Sequence, residues 1–148
     1  MNGTRKEDQL VVVSQDGFSK TAATNVVIST LVVDDSAAML REMCRCVKAL
    51  PSLELVGTAE NGRQALEKCE SLRPQLVLMD FQMPEMNGLQ AARMIKSDKG
   101  THIKIIVVTI HDNPRLREAV LSSGVDGFLS KAQLQKELPK ELGRLFPY

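Results

Sequence analysis

The chain has 148 residues, of which 43% are hydrophobic and 25% are charged. This length and composition fit one globular domain that can bury a single core without support from a metal or a disulfide. The 19 basic and 18 acidic residues leave a formal net charge of +1, which excludes a general electrostatic attraction to nucleic acid or to an anionic membrane surface. We therefore expect no direct binding to nucleic acid and no association with a membrane.

The cysteines Cys44, Cys46 and Cys69 are an odd number, and the sequence shows no secretory signal. All three fall in predicted helices, where we expect reduced and partly buried side chains. Residues two apart do not share a helix face, and no histidine or further cysteine completes a set of metal ligands around Cys44 and Cys46. Because the apolar runs are too short to span a bilayer and the N-terminus lacks the apolar core of a signal peptide, we predict a cytoplasmic protein.

The chain is predicted to divide into a short extension and one domain. Residues 1–24 are polar and mixed, with only residues 10–13 apolar, which is typical of a flexible N-terminal extension. From residue 25 to residue 148, short apolar runs alternate with amphipathic stretches. This alternation predicts an α/β fold in which a parallel sheet is covered by helices on both faces.

Five strands and five helices are predicted in strict alternation. The predicted strands cover residues 26–33, 53–58, 76–80, 103–110 and 127–129. The predicted helices cover residues 36–50, 61–72, 87–95, 114–124 and 134–145. Ser36 and Asn87 are suited to cap the first and third helices, and Gly124 is suited to end the fourth. We expect Pro139 to restrict or kink the last helix near its start.

Five polar residues lie at the ends of four predicted strands. Asp34 and Asp35 follow the first strand, Asp80 ends the third, Thr109 is near the end of the fourth, and Lys131 comes just after the fifth. In a doubly wound sheet of strand order 2-1-3-4-5, ligands bind beyond the carboxyl ends of the strands, at the point where the strand order reverses. That point lies between the first and third strands, so we expect all five side chains to share one crevice.

The chemistry of these side chains indicates phosphoryl transfer. Three carboxylates packed together repel one another, and a site of oxygen ligands with few protein donors suits Mg²⁺, which works with phosphate oxygens. Lys131 supplies a cation and Thr109 a hydroxyl for the transferred group. Asp80 is the candidate nucleophile, which would form an aspartyl phosphate and, being ionised, needs no base.

Over residues 26–146 the chain resembles the receiver domain of response regulators in two-component signalling. The resemblance is carried by Asp34-Asp35, by Val77-Leu78-Met79-Asp80 with Met83-Pro84 and Asn87-Gly88, by Thr109, and by Lys131 preceded by Gly127-Phe128-Leu129-Ser130. The spacings between these motifs also match the family. The resemblance implies a flavodoxin-like (βα)5 fold with five parallel strands in the order 2-1-3-4-5.

For the site, the resemblance implies a Mg²⁺ ion and a phosphorylated Asp80. Asp35 would bind the ion directly and Asp34 more through water, with Asp80 and the backbone carbonyl of Gln82 as further ligands. The phosphoryl donor would be a sensor histidine kinase or a phosphotransfer protein. The domain would catalyse its own phosphorylation and dephosphorylation without being an enzyme that acts on another substrate.

The switch of this family corresponds to Thr109 and Phe128. Phosphorylation adds charge and acceptor oxygens at Asp80, which would draw the Thr109 hydroxyl inward and leave space for the Phe128 ring. Since residue 128 is a phenylalanine, it has no hydroxyl to offer to a partner. We expect the surface formed by the fourth helix, the fifth strand and the fifth helix to bind a downstream protein or a second copy of the chain.

Some positions depart from the general family pattern. Ile110 follows the threonine where many receivers have a small residue, which would restrict access to the phosphoryl group. His111 and the motifs within residues 55–62 resemble the subfamily whose receivers usually precede a DNA-binding helix-turn-helix. The residues after Lys131 are needed for the last helix, so we expect no such output domain in this sequence. A receiver fragment of a longer DNA-binding regulator is the alternative.

Other functions fit the sequence less well. Taken singly, the aspartate pair could cap a helix, Thr109 could be an ordinary strand residue and Lys131 a solvated surface lysine. A phosphatase of the haloacid dehalogenase type also uses an aspartyl nucleophile at a strand end, but it needs a second aspartate two residues later, where this chain has Gln82. A receiver that only binds partners, without phosphorylation, is opposed by the complete acidic set.

Overall fold

The computed structural model describes residues 27–98 and 101–147, in which strands and helices alternate. The elements are β1 (Ile28–Val33), α1 (Ala37–Lys48), β2 (Leu53–Ala59), α2 (Gly62–Leu72), β3 (Leu76–Asp80), α3 (Gly88–Lys96), β4 (Lys104–Thr109), α4 (Pro114–Leu121), β5 (Gly127–Ser130) and α5 (Leu134–Leu145), the last preceded by a 3-10 turn at Lys131–Gln133. The predicted alternation is confirmed. The predicted extension over residues 1–24 lies outside the described residues.

The five strands form one parallel sheet in the order β2-β1-β3-β4-β5, which confirms the predicted fold class. β1 lies between β2 and β3, so the chain leaves β1 in one direction for β2 and crosses back to place β3 on the other side. The topological switch point of the sheet therefore lies between the carboxyl ends of β1 and β3.

Two hydrophobic layers hold the helices on the sheet. Alternate residues of the central strand β3 point to opposite layers, Val77 and Met79 to one and Leu76 and Leu78 to the other. The first layer lies under α2, α3 and α4, and the second lies under α1 and α5. Since both faces of β3 are covered, all five of its residues are buried, which explains why this strand is a continuous apolar run in the sequence.

The helix starts agree with the predicted caps. The Ser36 hydroxyl accepts the Met39 amide at 3.3 Å, and the Asn87 side chain accepts the Gln90 amide at 2.9 Å in a capping box. Each cap gives an acceptor to an amide that has no partner within its helix. The loops that leave β1 and β3 therefore turn into α1 and α3 at defined residues.

Several strands and helices end at earlier residues than predicted. β4 stops at Thr109 and leaves Ile110 exposed, and α1 stops at Lys48 rather than residue 50. α4 ends at Leu121, where the Ser122 hydroxyl donates to the Glu118 carbonyl at 2.8 Å and to the Ala119 carbonyl at 3.2 Å. Gly124, predicted to cap this helix, lies beyond it with a φ of +105°, in the turn that leads to β5.

α5 is continuous through Pro139, and its leucines face the sheet. Leu134, Leu138 and Leu142 are buried in the second layer, and Leu145 packs against it half-buried. Packing of a helix on the sheet therefore accounts for this apolar stripe. Within the part of the chain that the structure describes, none of the helices has the length and apolar content needed to cross a bilayer.

Candidate functional site

Lys131 joins two aspartates at the carboxyl end of the sheet. Its Nζ lies 2.7 Å from Asp34 Oδ2 and 2.8 Å from Asp80 Oδ1. The three side chains are almost fully buried, with 8%, 1% and 6% of their surfaces exposed for Lys131, Asp34 and Asp80. Hydrogen bonds between ionised groups in such a site are strong because little water competes for them.

Backbone contacts fix the two aspartates beneath the lysine. Asp34 follows β1 directly, its amide donates to the Ala59 carbonyl at 3.1 Å, and its Oδ1 accepts the Ser36 amide at 2.9 Å. Asp80 ends β3 and lies beside Val108 of β4. The chain then turns so closely that a Cβ on Gly88 would overlap the Asp80 backbone carbonyl. Gly88 is thus required for the loop that follows Asp80.

A third carboxylate completes the cluster. One carboxylate oxygen from each of Asp34, Asp35 and Asp80 lies within 4.8 Å of the others, and Asp35 is exposed while the other two are buried. Three negative charges therefore meet a single ammonium group. Because like charges at this separation repel, the cluster favours a further cation on its solvent side.

The pKa values of Asp80 and Lys131 reflect this arrangement. Burial raises the pKa of the Asp80 carboxyl to about 6; the Lys131 ammonium opposes the shift, and the charges of Asp34 and Asp35 add to it. Burial acts to lower the pKa of Lys131, but hydrogen bonds to Asp34 and Asp80 outweigh burial and raise it. Lys131 is therefore a permanent cation at neutral pH, whereas Asp80 resists carrying its full charge without more positive charge nearby.

The donor set fits Mg²⁺. The three aspartates offer carboxylate oxygens, which are the ligands that this hard cation prefers, and the exposed Asp35 leaves the cluster accessible. Gln82 lies exposed in the loop after β3, and the assignment of its carbonyl to the metal stays a prediction.

The structure places Thr109 and Phe128 near this edge of the sheet. Thr109 ends β4 beside Ser130, the residue before Lys131, and its Oγ1 accepts the His111 amide at 3.1 Å. Phe128 is 2% exposed and belongs to the hydrophobic layer under α2, α3 and α4. Ile110, directly after the threonine, is 62% exposed. The predicted roles of these residues stay predictions.

Two contacts of the site were not predicted from the sequence. One is the ion pair between Lys131 and Asp34, two residues that are 97 positions apart. The other is the contact of Arg117 with Phe128, in which the guanidinium carbon lies 5.0 Å from the ring centroid. An arginine on an exposed helix has no local signal that distinguishes it from a solvated charge.

Comparisons with known proteins agree with the fold. The family model of the response regulator receiver domain matches residues 30–142. A protein-glutamate methylesterase/protein-glutamine glutaminase from Geobacillus kaustophilus (strain HTA426) is 38% identical over 104 residues, which cover 70% of this chain and 30% of that protein. The chain therefore spans less than a third of the length of the curated methylesterases that it matches.

Solved structures show the same fold. The response regulator domain of Thermotoga maritima CheB is 28% identical with a TM-score of 0.71, covering 80% of this chain and 96% of that one. A DNA-binding response regulator of the LuxR family from Staphylococcus aureus is 26% identical with a TM-score of 0.72, covering 80% of this chain and 98% of that one.

Proposed function

Because the chain belongs to the family of response regulator receiver domains, we propose that it is the phosphoacceptor of a two-component phosphorelay. It would take a phosphoryl group from the phosphohistidine of a sensor histidine kinase or a phosphotransfer protein onto Asp80. The observation that supports this proposal most strongly is the Lys131 ammonium, which contacts both Asp34 and Asp80 in a buried cluster with surplus negative charge.

The contact with Lys131 fixes the orientation of the Asp80 carboxylate, as a nucleophile requires. Lys131 contacts Oδ1 of the carboxylate, so Oδ2 would attack the phosphorus. The new bond joins Oδ2 to phosphorus, the bond from phosphorus to the donor's imidazole nitrogen breaks, and its electron pair stays on that nitrogen, which then takes a proton. Lys131 neutralises charge on the transferred group in a site where its position is already fixed.

The proposed ligands of Mg²⁺ are Asp34, Asp35, Asp80 and the Gln82 carbonyl. When bound, the ion would neutralise charge on the carboxylates and on the phosphoryl oxygens, which allows an anionic donor to approach three aspartates. Asp35 is the exposed member of the set and is therefore the residue through which the ion would enter.

Thr109 and Phe128 are proposed to report the phosphorylated state. The Thr109 hydroxyl accepts a hydrogen bond from the His111 amide. The acceptor oxygens of a phosphoryl group on Asp80 would favour a reoriented hydroxyl that donates a hydrogen bond to them. The α4, β5 and α5 surface would change as a result and bind a downstream protein or a second copy of the chain. In this scheme the domain acts on no other substrate.

Incubation of the protein with Mg²⁺ and acetyl phosphate tests the proposal. The expected result is the gain of one acid-labile acyl phosphate per chain, detected by mass spectrometry of the intact protein. Asp80→Asn should abolish the gain, whereas Asp98→Asn, at an exposed position two residues beyond the end of α3, should not. A wild-type chain that stays unmodified, or phosphate that survives in Asp80→Asn, would show that the mechanism is wrong.

A second candidate is that the domain is the receiver part of a longer regulator. The curated relatives favour it, since the match covers 30% or less of their length. The domain would then control an output activity elsewhere in the protein. Sequencing the reading frame downstream of Tyr148 tests this, because a continued frame with a second domain is expected and an immediate stop codon opposes it.

A further inference from the structure

Arg117 of α4 contacts both the ring of Phe128 and the loop that follows Thr109. Its guanidinium carbon lies 5.0 Å from the ring centroid, and its Nη1 donates to the Phe128 carbonyl at 3.4 Å. Its Nη2 lies 3.7 Å from Asp112 Oδ1 in the loop between β4 and α4. A cation at this distance attracts an aromatic ring. Arg117 therefore connects α4 to β5 and to the loop.

α4 has few other contacts that fix its position. Of its eight residues, Val120 is buried, and Leu116 packs half-buried against the hydrophobic layer. A helix with so little buried apolar surface is weakly held by packing alone. The contact of Arg117 with Phe128 therefore adds to the burial of Val120 and Leu116 in positioning α4 on the sheet.

The ring and the Thr109 side chain lie on the same face of the sheet. Phe128 pairs with Val107 and Ser130 pairs with Thr109, and residues two apart on a strand share a face. The Thr109 hydroxyl accepts the amide of His111, the residue before Asp112. A continuous set of contacts therefore runs from the end of β4, through the loop and Arg117, to the buried ring.

We propose that Arg117 is a positioning residue that stabilises the buried position of the Phe128 ring and couples the Asp80 site to α4. This inference rests on the proposed function, since it concerns the regulation of the same site. When Thr109 turns toward a phosphoryl group, the His111 amide loses its acceptor and the loop with Asp112 can shift relative to Arg117. An inward Thr109 leaves space for the Phe128 ring, so the phosphoryl group favours the buried ring position that the Arg117 guanidinium contacts. By linkage, stabilisation of that ring position by Arg117 also strengthens the binding of the phosphoryl group.

Three variants separate the charge of Arg117 from its bulk. Arg117→Met keeps an aliphatic chain that can pack and removes the cation, whereas Arg117→Lys keeps the cation. Arg115→Met is the matched control, since it removes an arginine from the same exposed helix two residues earlier, where the side chain faces another direction. Each protein is labelled with fluorophenylalanine, and the Phe128 resonance is assigned with Phe128→Leu.

Beryllofluoride with Mg²⁺ is the phosphoryl analogue, titrated into each variant while ¹⁹F spectra are recorded. Arg117→Met should weaken beryllofluoride binding about threefold to tenfold, which is the range expected for one cation–aromatic contact. It should also shift or broaden the Phe128 resonance of the free protein. Arg117→Lys should recover part of both effects, and Arg115→Met should match the wild type.

The outcomes distinguish this inference from the proposed function. Wild-type affinity and an unchanged Phe128 resonance in Arg117→Met would overturn the inference and leave the proposed function standing. Equal losses in Arg117→Met, Arg117→Lys and Arg115→Met would show a general loss of helix stability and would also overturn it. A wild-type protein that binds no beryllofluoride would overturn the proposed function together with the coupling.

Discussion

A lysine meets an aspartate at each end of the sheet, and the two contacts differ in their charge balance. At the amino end, Lys96 Nζ lies 2.6 Å from Asp126 Oδ2, and the same oxygen accepts the Ile105 amide at 2.8 Å. At the carboxyl end, Lys131 contacts two aspartates, and the third carboxylate of the cluster lies close by.

This difference distinguishes a structural contact from the cluster that we propose as the phosphorylation site. The Lys96 pair joins one cation to one anion between the end of α3 and the starts of β4 and β5, where it fixes neighbouring elements. The Lys131 cluster has more negative charge than its lysine can neutralise. Surplus negative charge in a buried site lowers the free energy of unfolding. It also favours the binding of a cation, alone or together with a group that the cation accompanies.

The largest predicted effect comes from removing each lysine in turn. Lys131→Met should slow phosphorylation by acetyl phosphate with Mg²⁺ on the order of 100-fold, because one fixed charge no longer stabilises the transferred group. Lys96→Met should leave the rate within about twofold of the wild type. The rates are measured by mass spectrometry over time, with circular dichroism to verify folding. Similar losses in both variants would contradict the distinction.

Asp126→Ala tests the structural end of the sheet. The variant leaves the Ile105 amide and the Lys96 ammonium without the Asp126 carboxylate, so the free energy of unfolding should fall by about 2 kcal/mol. Urea denaturation measures this change. Phosphorylation of the folded variant should continue at the wild-type rate. A variant as stable as the wild type would show that this contact does not hold the elements together.

Asp80→Asn should stabilise the protein in buffer without metal. Burial raises the pKa of Asp80 to about 6, above its ordinary value of 3.8. Between these values the folded chain binds more protons than the unfolded chain, so this residue adds stability as the pH falls from 7 to 4. The buried asparagine amide also has a desolvation cost, so at pH 7 the free energy of unfolding of the variant should rise by only about 1 kcal/mol.

The pH dependence provides the control for this third effect. Urea denaturation of the wild type and Asp80→Asn is compared at pH 7 and pH 4, because the difference between the two proteins cancels the other titrating groups. The gain should disappear at pH 4, where the wild-type carboxyl is protonated. If the two proteins differed equally in free energy of unfolding at pH 7 and pH 4, ionisation of Asp80 would not destabilise the folded protein.

The sequence predicted those parts of the structure that depend on local patterns. The buried run that ends at Asp80 and the caps at Ser36 and Asn87 are set by neighbouring residues, and all are present. The convergence of the three aspartates was also predictable, because parallel strands with alternating helices place their carboxyl ends at one edge.

The parts that were missed depend on contacts between distant residues. Nothing local pairs Lys131 with Asp34 or Lys96 with Asp126, because many lysines of a sequence could serve as the partner of any one carboxylate. The end of α4 was misplaced, since the helix ends before Gly124 is reached, where the hydroxyl of Ser122 donates to helix carbonyls. Such hydrogen bonds depend on geometry that composition does not reveal.

Reduction of the phosphorylated protein with borohydride shows which residue carries the phosphoryl group. The reagent converts a phosphorylated aspartate to homoserine, which peptide mass spectrometry then locates in the sequence. We expect homoserine at residue 80, formed in a Mg²⁺-dependent reaction that Lys131→Met suppresses. Homoserine at Asp34 or Asp35 instead, or a modification that forms equally well without Mg²⁺, would contradict the proposed mechanism.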